Sequence, residues 1–461
     1  MLLTFEEFKT WEPVTDTYGL FGYPLGHTMS PELHSQLFAT YGKQAEYIAL
    51  EIPPEHLAEA FALASKKLKG INVTIPYKRD IMQFLDKIDE KAAFLNSVNT
   101  VHFAGGKSRG YNTDILGFAE SLKRDQIHLK NREVLLVGYG GAAAVMGLHC
   151  IMESAKLMIT GRNLEKAEAL RHRLKRDFPS AWVDVCGLEY IPESTQIIVN
   201  GTPLGMYPKE DSCPIPYIPQ NTRYIFDAIY NPPLTKLLRL GRRQNITIRD
   251  GLYMLVMQAA KAQEIWIGHQ FEESTCDSVL RRLYGKMAMK RLSDVHHKSN
   301  LVLSGYMGSG KTTIGKKIAK LTGRTFYDAD VYLEAQEGRT ISDIFAQDGE
   351  TAFRQLETKY LKELSRKEGA VIALGGGAVL RPENVKAIKK NGLLVYLNTP
   401  LPRILKNLSY DDKRPVIAGE NREKKIRKTY RQRKPIYRMT ADLSVSSTRI
   451  NETILQIFKR I

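Results

Sequence analysis

A glycine-rich stretch at residues 305–313 carries the residue types that bind phosphate groups. It reads Gly-Tyr-Met-Gly-Ser-Gly-Lys-Thr-Thr, follows the apolar run Leu301–Leu303 and precedes a helical pattern. Backbone N–H groups of such a turn surround phosphates at a helix N-terminus. The side chain of Lys311 can reach the β- and γ-phosphates, and the hydroxyl of Thr312 can ligate Mg²⁺. The sequence therefore predicts a nucleoside triphosphate site that comprises Gly308, Ser309, Gly310, Lys311, Thr312 and Thr313.

A second glycine turn lies in the first half of the chain, where Gly138, Gly140 and Gly141 follow the predicted strand Glu133–Val137. This is a short form of the turn that binds the pyrophosphate of a dinucleotide. Taken alone it is weak evidence, because strand–glycine–helix turns are common in α/β proteins. Arg162 comes just after the next predicted strand, at a position where an acidic residue would favour NAD. Arginine can pair with a 2′-phosphate, so the sequence favours NADP, although an exposed charge at a strand end is the alternative.

The elements that must position these turns follow an α/β pattern. Short apolar runs alternate with helical patterns from Tyr18 to Tyr111, which predicts a mixed or parallel sheet with helices. The predicted strands include Gly19–Tyr23, Glu46–Leu50, Ile71–Ile75, Leu157–Thr160, Ile197–Asn200 and Tyr224–Ala228, and the predicted helices include Pro31–Tyr41, Pro54–Lys67 and Gly251–Ile267. Residues 286–299 are polar and basic, and we interpret them as a linker between two parts of the chain.

Length and composition indicate a globular protein with several domains. The chain has 461 residues, of which 43% are hydrophobic and 25% are charged. Its four cysteines are far apart, without the spacing of a metal or redox motif. The acidic start lacks the apolar segment of a signal peptide, and glycines interrupt the uncharged stretch Val134–Met152. We therefore expect a cytoplasmic protein with no membrane partner.

The formal net charge of +17 is compatible with nucleic acid or with acidic small molecules as ligands. The densest basic run, Asn421–Arg438, has only two aromatic residues and no signature of a nucleic-acid-binding module. We interpret it as a solvated helix face that directs one or two arginines at a ligand. No nucleic-acid partner is expected.

A series of polar clusters follows in a fixed order between residues 22 and 258. Each cluster alone is compatible with turn chemistry or with a hydroxyl that caps a helix. Together they closely resemble shikimate dehydrogenase, over residues 18–268. The clusters are Thr28-Met-Ser30, Asn72-Val-Thr74, Lys78, Ser97-Val-Asn99, Asn112-Thr113-Asp114, Asn200-Gly-Thr202, Asp227-Ala-Ile-Tyr230 and Gly251 to Gln258.

This resemblance implies that Lys78 and Asp114 form a catalytic dyad. The dyad would exchange a proton with the oxygen of 3-dehydroshikimate while NADPH provides a hydride. The substrate-binding residues implied are Thr28, Ser30, Thr74, Asn99, Asp114, Tyr230 and Gln258, and those implied for NADP are Gly138, Gly140, Gly141, Ala142, Arg162 and Gly251.

The chain departs from the family pattern at a few of these positions. The family usually has serine at position 28, alanine at position 139 and Asn-Arg-Thr at positions 161–163. This chain has Thr28, Tyr139 and Gly161-Arg162-Asn163. The arginine is retained while a usual partner of the 2′-phosphate is lost, so NADP is favoured over NAD, and quinate stays open as an alternative substrate.

Behind the first glycine turn, a second set of residues resembles shikimate kinase over residues 300–444. Two acids end a strand, Arg354 lies on a helix, three glycines follow an apolar run, and two more arginines lie further along. The resemblance implies that Asp328 orients a water bound to Mg²⁺ and that Asp330 holds the attacking hydroxyl. It implies that Arg354, Gly376 and Arg433 bind shikimate, whose carboxylate suits a planar guanidinium. Arg414 is implied to close over the phosphates of ATP.

The two resemblances predict a bifunctional α/β enzyme of the shikimate pathway. The predicted parts are a substrate lobe (1–112 and 245–285), a Rossmann-like NADP-binding lobe (113–244), a linker (286–299) and a P-loop kinase domain with a parallel sheet (300–461). The expected small-molecule partners are 3-dehydroshikimate and shikimate. The alternative from another class is a regulatory protein built from degenerate copies, but such a protein would be expected to lack the catalytic side chains. The sequence does not indicate an oligomeric state.

Overall fold

A computed structural model of the chain describes residues 1–26, 28–409 and 421–461. The chain divides into two compact units, Met1–Leu280 and Arg281–Ile461. Strands and helices are numbered below in chain order. In the part of the chain that the structure describes, no helix is both long enough and apolar enough to cross a membrane. The four cysteines, Cys150, Cys186, Cys213 and Cys276, are free thiols.

The first unit contains a seven-stranded mixed sheet in the order β1-β3-β2-β4-β6-β7-β5. Strands β1 to β4 pair in parallel, whereas β6 is antiparallel to both β4 and β7. Its core residues are apolar on both faces, as expected for strands covered by helices. The strands are β1 (Leu2–Thr4), β2 (Thr17–Gly22), β3 (Glu46–Glu51), β4 (Gly70–Val73), β5 (Lys87–Ile88), β6 (Thr100–Ala104) and β7 (Lys107–Tyr111).

The same unit contains a six-stranded parallel sheet in the order β10-β9-β8-β11-β12-β13. Its strands are β8 (Glu133–Val137), β9 (Lys156–Thr160), β10 (Val183–Cys186), β11 (Ile197–Asn200), β12 (Tyr224–Asp227) and β13 (Thr247–Asp250). Because β13 pairs with β12, this sheet extends to Asp250, beyond the boundary expected at residue 244. Parallel strands bring their carboxyl ends to one edge, which is where this class of sheet binds ligands.

In the residues that the structure describes, ten α-helices accompany these two sheets, and the last of them runs on past Leu280. They are α1 (Phe5–Thr10), α2 (Ser30–Tyr41), α3 (Leu57–Lys67), α4 (Glu90–Leu95), α5 (Asp114–Arg124), α6 (Gly141–Met152), α7 (Leu164–Asp177), α8 (Lys236–Arg243), α9 (Leu252–Ile267) and α10 (Glu273–Asp294). Residues 286–294, which the sequence analysis assigns to a linker, are thus the C-terminal part of α10.

Helices α5 and α9 connect the two sheets of the first unit and pack closely against each other. The contact depends on Gly117, which is buried on α5. A Cβ atom at residue 117 would lie 2.5 Å from the carbonyl oxygen of Met254 and 3.1 Å from the backbone nitrogen of Gln258. Only a residue without a side chain therefore allows the two backbones to approach this closely.

The second unit is built on a five-stranded parallel sheet in the order β15-β16-β14-β17-β18. Its strands are β14 (Asn300–Ser304), β15 (Thr325–Asp328), β16 (Ala370–Ala373), β17 (Gly392–Asn398) and β18 (Leu443–Ser446). Its helices are α11 (Lys311–Thr322), α12 (Ala329–Glu337), α13 (Ile341–Gln347), α14 (Gly349–Ser365), α15 (Pro382–Asn391), α16 (Leu401–Leu408), α17 (Arg422–Thr440) and α18 (Ile450–Phe458). The central strand β14 leads directly into the glycine turn and α11.

We predict that Gly117→Ala destabilises the first unit, because its Cβ atom would collide with backbone rather than with a side chain that can move. The expected loss in the free energy of unfolding is about 2 kcal/mol or more, measured by urea denaturation. Gly141→Ala on α6 is the matched control, because nothing lies within 4 Å of its added Cβ. Equal stability of the two variants would show that the close approach of α5 and α9 is not a constraint.

Candidate active sites

The first unit brings together the two residues predicted to form a dyad. Lys78 follows strand β4, and Asp114 is the first residue of helix α5. The Nζ atom of Lys78 lies 2.7 Å from Oδ2 of Asp114, and their side chains are 32% and 21% exposed. The pair is therefore both preformed and accessible to a small molecule.

Backbone and amide hydrogen bonds hold this pair in place. The N–H of Val98 donates to the carbonyl oxygen of Lys78 at 2.7 Å. Asn99 Oδ1 accepts from the backbone N–H of Thr113 at 2.7 Å and from the hydroxyl of Thr100 at 3.0 Å. The segment that contains Asn99 thus contacts both the lysine segment and the residue before Asp114. Three of the predicted residues, Lys78, Asn99 and Asp114, form one cluster.

The other predicted substrate residues lie on neighbouring elements. The hydroxyl of Thr28 accepts from the N–H of Ser30 at 3.2 Å, at the start of α2. Thr74 follows β4 in the segment that leads to Lys78, and its N–H donates to the carbonyl oxygen of Phe21 at 2.8 Å. Gln258 lies on α9, beside Gly117 of α5. Tyr230 follows β12, and its burial raises the pKa of its hydroxyl; no hydrogen bond joins it to this cluster in the described residues.

A buried polar network supports this cluster, and the sequence motifs predict no role for its members. The Tyr47 hydroxyl donates to Asn72 Oδ1 at 2.7 Å, and Asn72 Nδ2 donates to Thr100 Oγ1 at 3.0 Å. His34 stacks on Tyr47 with ring centroids 4.1 Å apart, and burial lowers the pKa of the imidazole to about 3. Its partner Gln263 lies on α9. An asparagine within the apolar strand Gly70–Val73 was the available signal, since buried amides need partners.

The glycine turn after β8 has room for a ligand. Gly138 has a φ of +110°, and its N–H donates to the carbonyl oxygen of Thr160 at 2.8 Å. A Cβ atom at Gly140 or Gly141 would meet nothing within 4 Å, and Ala142 is exposed. Arg162 is exposed at the end of β9. The N-terminus of α6 therefore presents open backbone that fits a pyrophosphate.

Gly251, predicted to bind the dinucleotide, has a packing role in the structure. A Cβ atom at residue 251 would lie 2.0 Å from the carbonyl oxygen of Ala228. The preceding residue of that segment, Asp227, is fully buried. Its carboxyl group accepts from Asn200 Nδ2 at 2.9 Å, from the Thr235 hydroxyl at 2.7 Å and from the Ile229 N–H at 3.1 Å. Burial outweighs these bonds and raises the pKa of Asp227 to about 6.

In the second unit the glycine turn has the geometry of a phosphate loop. Gly310 has a φ of +88°, a left-handed conformation that glycine adopts without strain. The Nζ atom of Lys311 donates to the carbonyl oxygens of Gly305 at 2.9 Å and Tyr306 at 3.1 Å. The hydroxyl of Ser309 is buried and has no hydrogen-bond partner among the described residues. A buried orphan hydroxyl in this loop is consistent with a polar ligand.

Two acidic residues lie beside this loop at the end of β15. The Thr312 hydroxyl donates to Asp328 Oδ2 at 2.7 Å, and the N–H of Asp330 donates to Asp328 Oδ1 at 3.2 Å. Asp328 thereby caps α12 and faces the start of α11. No cluster of three or more His, Cys, Asp or Glu side chains forms a metal site in the described residues. A cation here would be held by Thr312, Asp328 and the phosphates of a nucleotide.

The predicted acceptor residues of the second unit surround the glycines at 375–377. A Cβ atom at Gly375 would lie 2.5 Å from Asp330 Oδ1, and one at Gly377 would lie 2.6 Å from Arg354 Nη1. Arg433 Nη1 donates to the carbonyl oxygen of Gly376 at 3.4 Å. The structure therefore brings Asp330, Arg354, Gly376 and Arg433 together. Arg414 lies outside the described residues.

Two residues of this cluster were given no role by the sequence analysis. Arg354 Nη1 donates to Glu357 Oε2 at 2.8 Å, and Glu357 is 5% exposed. Burial raises the pKa of Glu357, and the adjacent arginine opposes that change. The hydroxyl of Tyr437 donates to the carbonyl oxygen of Gly376. The i, i+3 spacing of Arg354 and Glu357 on α14 was the available signal for the ion pair.

Comparison with known proteins assigns the first unit to a family. The family model "Shikimate dehydrogenase substrate binding domain" matches residues 20–101. A shikimate dehydrogenase (NADP(+)) of Halothermothrix orenii is 36% identical over 264 residues, which is 55% of this chain and 91% of that protein. The chain belongs to the shikimate dehydrogenase family.

Solved structures of shikimate dehydrogenases agree with the fold of this unit. One, crystallised in complex with NADP⁺, is 34% identical with a TM-score of 0.55, and the match covers 58% of this chain and 94% of that one. Another, from Thermus thermophilus in complex with NADP(H) and shikimate, is 27% identical with a TM-score of 0.53 and covers 58% and 99% of the two chains. The resemblance that the polar clusters predicted is confirmed.

The second unit matches a different family model, "Shikimate kinase", over residues 307–461. The fusion of a shikimate dehydrogenase with a shikimate kinase domain, and the α/β class of both, are therefore confirmed. The roles of the individual site residues stay predictions. Below we use "dehydrogenase unit" for Met1–Leu280 and "kinase unit" for Arg281–Ile461.

We predict that Asp227 makes the dehydrogenase unit less stable as the pH rises. Its pKa is raised to about 6 in the folded state, so the neutral acid stabilises the folded protein at low pH. This stabilisation is lost as the pH rises from the unfolded pKa to the folded pKa. The free energy of unfolding of Asp227→Asn minus that of wild type should therefore rise by about 2 kcal/mol from pH 4 to pH 7. Urea denaturation of both proteins across this range measures it, and a constant difference would contradict the prediction.

Proposed function

We propose that the chain catalyses two consecutive reactions of the shikimate pathway. The dehydrogenase unit reduces 3-dehydroshikimate to shikimate with NADPH, and the kinase unit phosphorylates shikimate to shikimate 3-phosphate with ATP. The observation that carries the proposal is the presence, in one chain, of the Lys78–Asp114 pair and of a phosphate loop next to the Asp330–Arg354 cluster. The hydroxyl made in the first reaction is the group that is phosphorylated in the second.

In the reduction, Lys78 acts as the general acid. NADPH, when bound, supplies the hydride to the ketone carbon. The oxygen then needs a proton, which the ammonium group of Lys78 donates while Asp114 holds that group by its 2.7 Å contact. In the reverse direction neutral Lys78 accepts the proton. Because both side chains are partly exposed, the substrate oxygen can approach the pair from the solvent side.

The predicted substrate residues supply hydrogen bonds of the kinds that a hydroxylated ring acid requires. Thr28 and Ser30 present two hydroxyls at the start of α2, and Asn99 lies within the cluster of Lys78 and Asp114. Gln258 and Tyr230 add an amide and a phenol from α9 and from the segment after β12. A site that satisfies every hydroxyl rejects analogues that lack one, because its own polar groups would stay unpaired.

NADP fits the turn after β8. The N-terminus of α6 presents the open backbone at Gly140 and Gly141, and Arg162 supplies a guanidinium for the 2′-phosphate. The relative from Halothermothrix orenii carries NADP(+) in its name, and one matched structure was crystallised with NADP⁺. These findings support NADP as the cofactor of this unit.

In the kinase unit the side chains position and neutralise charge rather than form covalent bonds. ATP, when bound, supplies the phosphoryl group, and Mg²⁺ offsets charge on its phosphates. Lys311 lies against the loop that would hold the phosphates, and Thr312 with Asp328 would hold the cation. Asp330 accepts a hydrogen bond from the attacking hydroxyl and thereby orients it. Arg354 and Arg433 hold the carboxylate of shikimate, and Arg414 is proposed to cover the phosphates.

The remaining expectations follow from this chemistry. Both substrates are small carboxylic acids, and both cosubstrates are nucleotides of central metabolism. We therefore propose a cytoplasmic enzyme that needs neither nucleic acid nor a membrane as a partner.

One coupled assay tests the function. Purified protein is mixed with 3-dehydroshikimate and NADPH, and the loss of NADPH absorbance is followed before Mg-ATP is added. Shikimate 3-phosphate is then sought by mass spectrometry. NADPH loss followed by the phosphorylated product supports both activities. Absence of both signals from folded protein that binds shikimate would favour the regulatory alternative.

We predict that the two activities can be removed separately. Lys78→Ala should abolish reduction and spare phosphorylation, whereas Lys311→Ala should do the reverse, because each lysine serves only its own site. Each reaction is assayed alone with its own substrate. Lys107→Ala and Lys320→Ala, both of exposed lysines, are the matched controls. If either site variant loses both activities while it stays folded, the sites are not independent.

A second variant tests the acceptor cluster of the kinase unit. Gly375→Ala places a methyl group 2.5 Å from the present position of Asp330 Oδ1, so this carboxylate must move away from the attacking hydroxyl. A displacement of this size costs about a hundredfold in rate, and we expect that loss in the kcat of phosphorylation. Reduction of 3-dehydroshikimate by the same preparation is the internal control. Unchanged phosphorylation would remove Asp330 from the proposed role.

A further inference from the structure

The glycine turn of the dehydrogenase unit contains one large side chain, Tyr139, at its tip. Gly138 and Gly140 flank it, and the ring is partly buried. The N–H of Gly138 donates to the carbonyl oxygen of Thr160 at 2.8 Å, which places this turn beside the turn that follows β9. The residues that follow this hydrogen bond, Tyr139 in the first turn and Gly161 in the second, are therefore in contact.

The ring of Tyr139 occupies the space in which a side chain at residue 161 would lie. A Cβ atom at residue 161 would be 2.8 Å from Cε1, 3.2 Å from Cδ1 and 3.9 Å from Cζ of the tyrosine. The first distance is too short for a real contact. The ring of Tyr139 therefore fits here because residue 161 has no side chain.

The ring rests on the residue that directly precedes the arginine of the proposed dinucleotide site. Arg162 directly follows Gly161 and is exposed, whereas Asn163 is engaged as the N-cap of α7 and accepts from the N–H of Lys166 at 2.9 Å. Gly140 and Gly141, where the pyrophosphate fits, directly follow Tyr139 in the chain. The ring therefore belongs to the turn that would hold the pyrophosphate and contacts the residue before the arginine that would meet a ribose phosphate.

We propose that Tyr139, seated on Gly161, is a specificity-determining residue for the cofactor. Its ring forms the surface on which the adenosine ribose of NADP(H) rests, and its hydroxyl donates a hydrogen bond to the 2′-phosphate beside Arg162. The inference rests on the proposed dehydrogenase function and adds to it a contact made by a residue of the glycine turn. It also explains why residue 161 is a glycine in a chain with tyrosine at 139.

The test compares cofactors with and without the 2′-phosphate. Tyr139→Phe keeps the ring and removes the donor, so Kd for NADPH and Ki for 2′,5′-ADP should rise about tenfold, the usual effect of one hydrogen bond to a charged group. Kd for NADH and Ki for 5′-AMP should not change. Tyr190→Phe is the matched control, since Tyr190 is 77% exposed on the same lobe. Equal values for Tyr139→Phe and wild type, or equal losses for both cofactors, would overturn the proposal.

A second pair of variants tests whether the ring of Tyr139 requires a glycine at residue 161, and this test does not depend on the hydroxyl. Gly161→Ala should weaken NADPH binding by displacing the ring, and the same change in a Tyr139→Ala background should have no further effect. Additive losses would show that the two positions act independently. Binding is measured by fluorescence titration without turnover. Wild type that binds NADPH but fails to reduce 3-dehydroshikimate would contradict the proposed function, whereas unchanged cofactor discrimination in an active Tyr139→Phe would contradict only this inference.

Discussion

The close contact between α5 and α9 is the constraint on which the dehydrogenase unit depends. These two helices connect the seven-stranded sheet to the six-stranded sheet, and their backbones approach closely because residue 117 has no side chain. Helix α5 begins with Asp114, and α9 carries Gln258 and Gln263. The same contact therefore fixes one member of the predicted catalytic pair, one predicted substrate residue and the amide that binds His34. Catalytic geometry and the connection between the two sheets have a common origin in one helix pair.

Both units solve the same physical problem, which is the binding of phosphate groups by neutral backbone. In each, a parallel strand ends in glycines and a helix begins, so that unpaired N–H groups point at the ligand. The two turns differ in what surrounds them. The turn of the kinase unit contains a lysine that is already bonded to two loop carbonyls. The turn of the dehydrogenase unit, Gly138–Gly141, contains no cation, and the predicted cationic partner of its ligand is Arg162, which follows the next strand.

The sequence predicted several strands well, because strands have local signals, and the roles of the site residues found by their motifs stay predictions. Strand Glu133–Val137 was predicted with its observed bounds, and Lys78, Asp114, Asp330 and Arg354 were found by their order in two motif sets. The supporting residues were less accessible. Tyr47, Thr100 and Gln263 are far apart in the chain and are joined only by tertiary hydrogen bonds. The helix that continues through Asp294 was missed because its polar and basic end has the composition of a linker.

The ion pairs of Arg354 have a consequence for how the acceptor reaches the kinase unit. Before any acceptor arrives, this guanidinium already contacts Glu357 at 2.8 Å and Glu350 at 3.2 Å. Its field is therefore largely cancelled beyond a few ångströms, and it attracts an approaching anion only weakly. Long-range attraction is left to the exposed basic side chains of helix α17, which also carries Arg433. In the proposed mechanism, capture and final orientation of the acceptor are thus divided between two groups of cations. The attraction by helix α17 depends on ionic strength, whereas Arg354 would exchange one carboxylate partner for another.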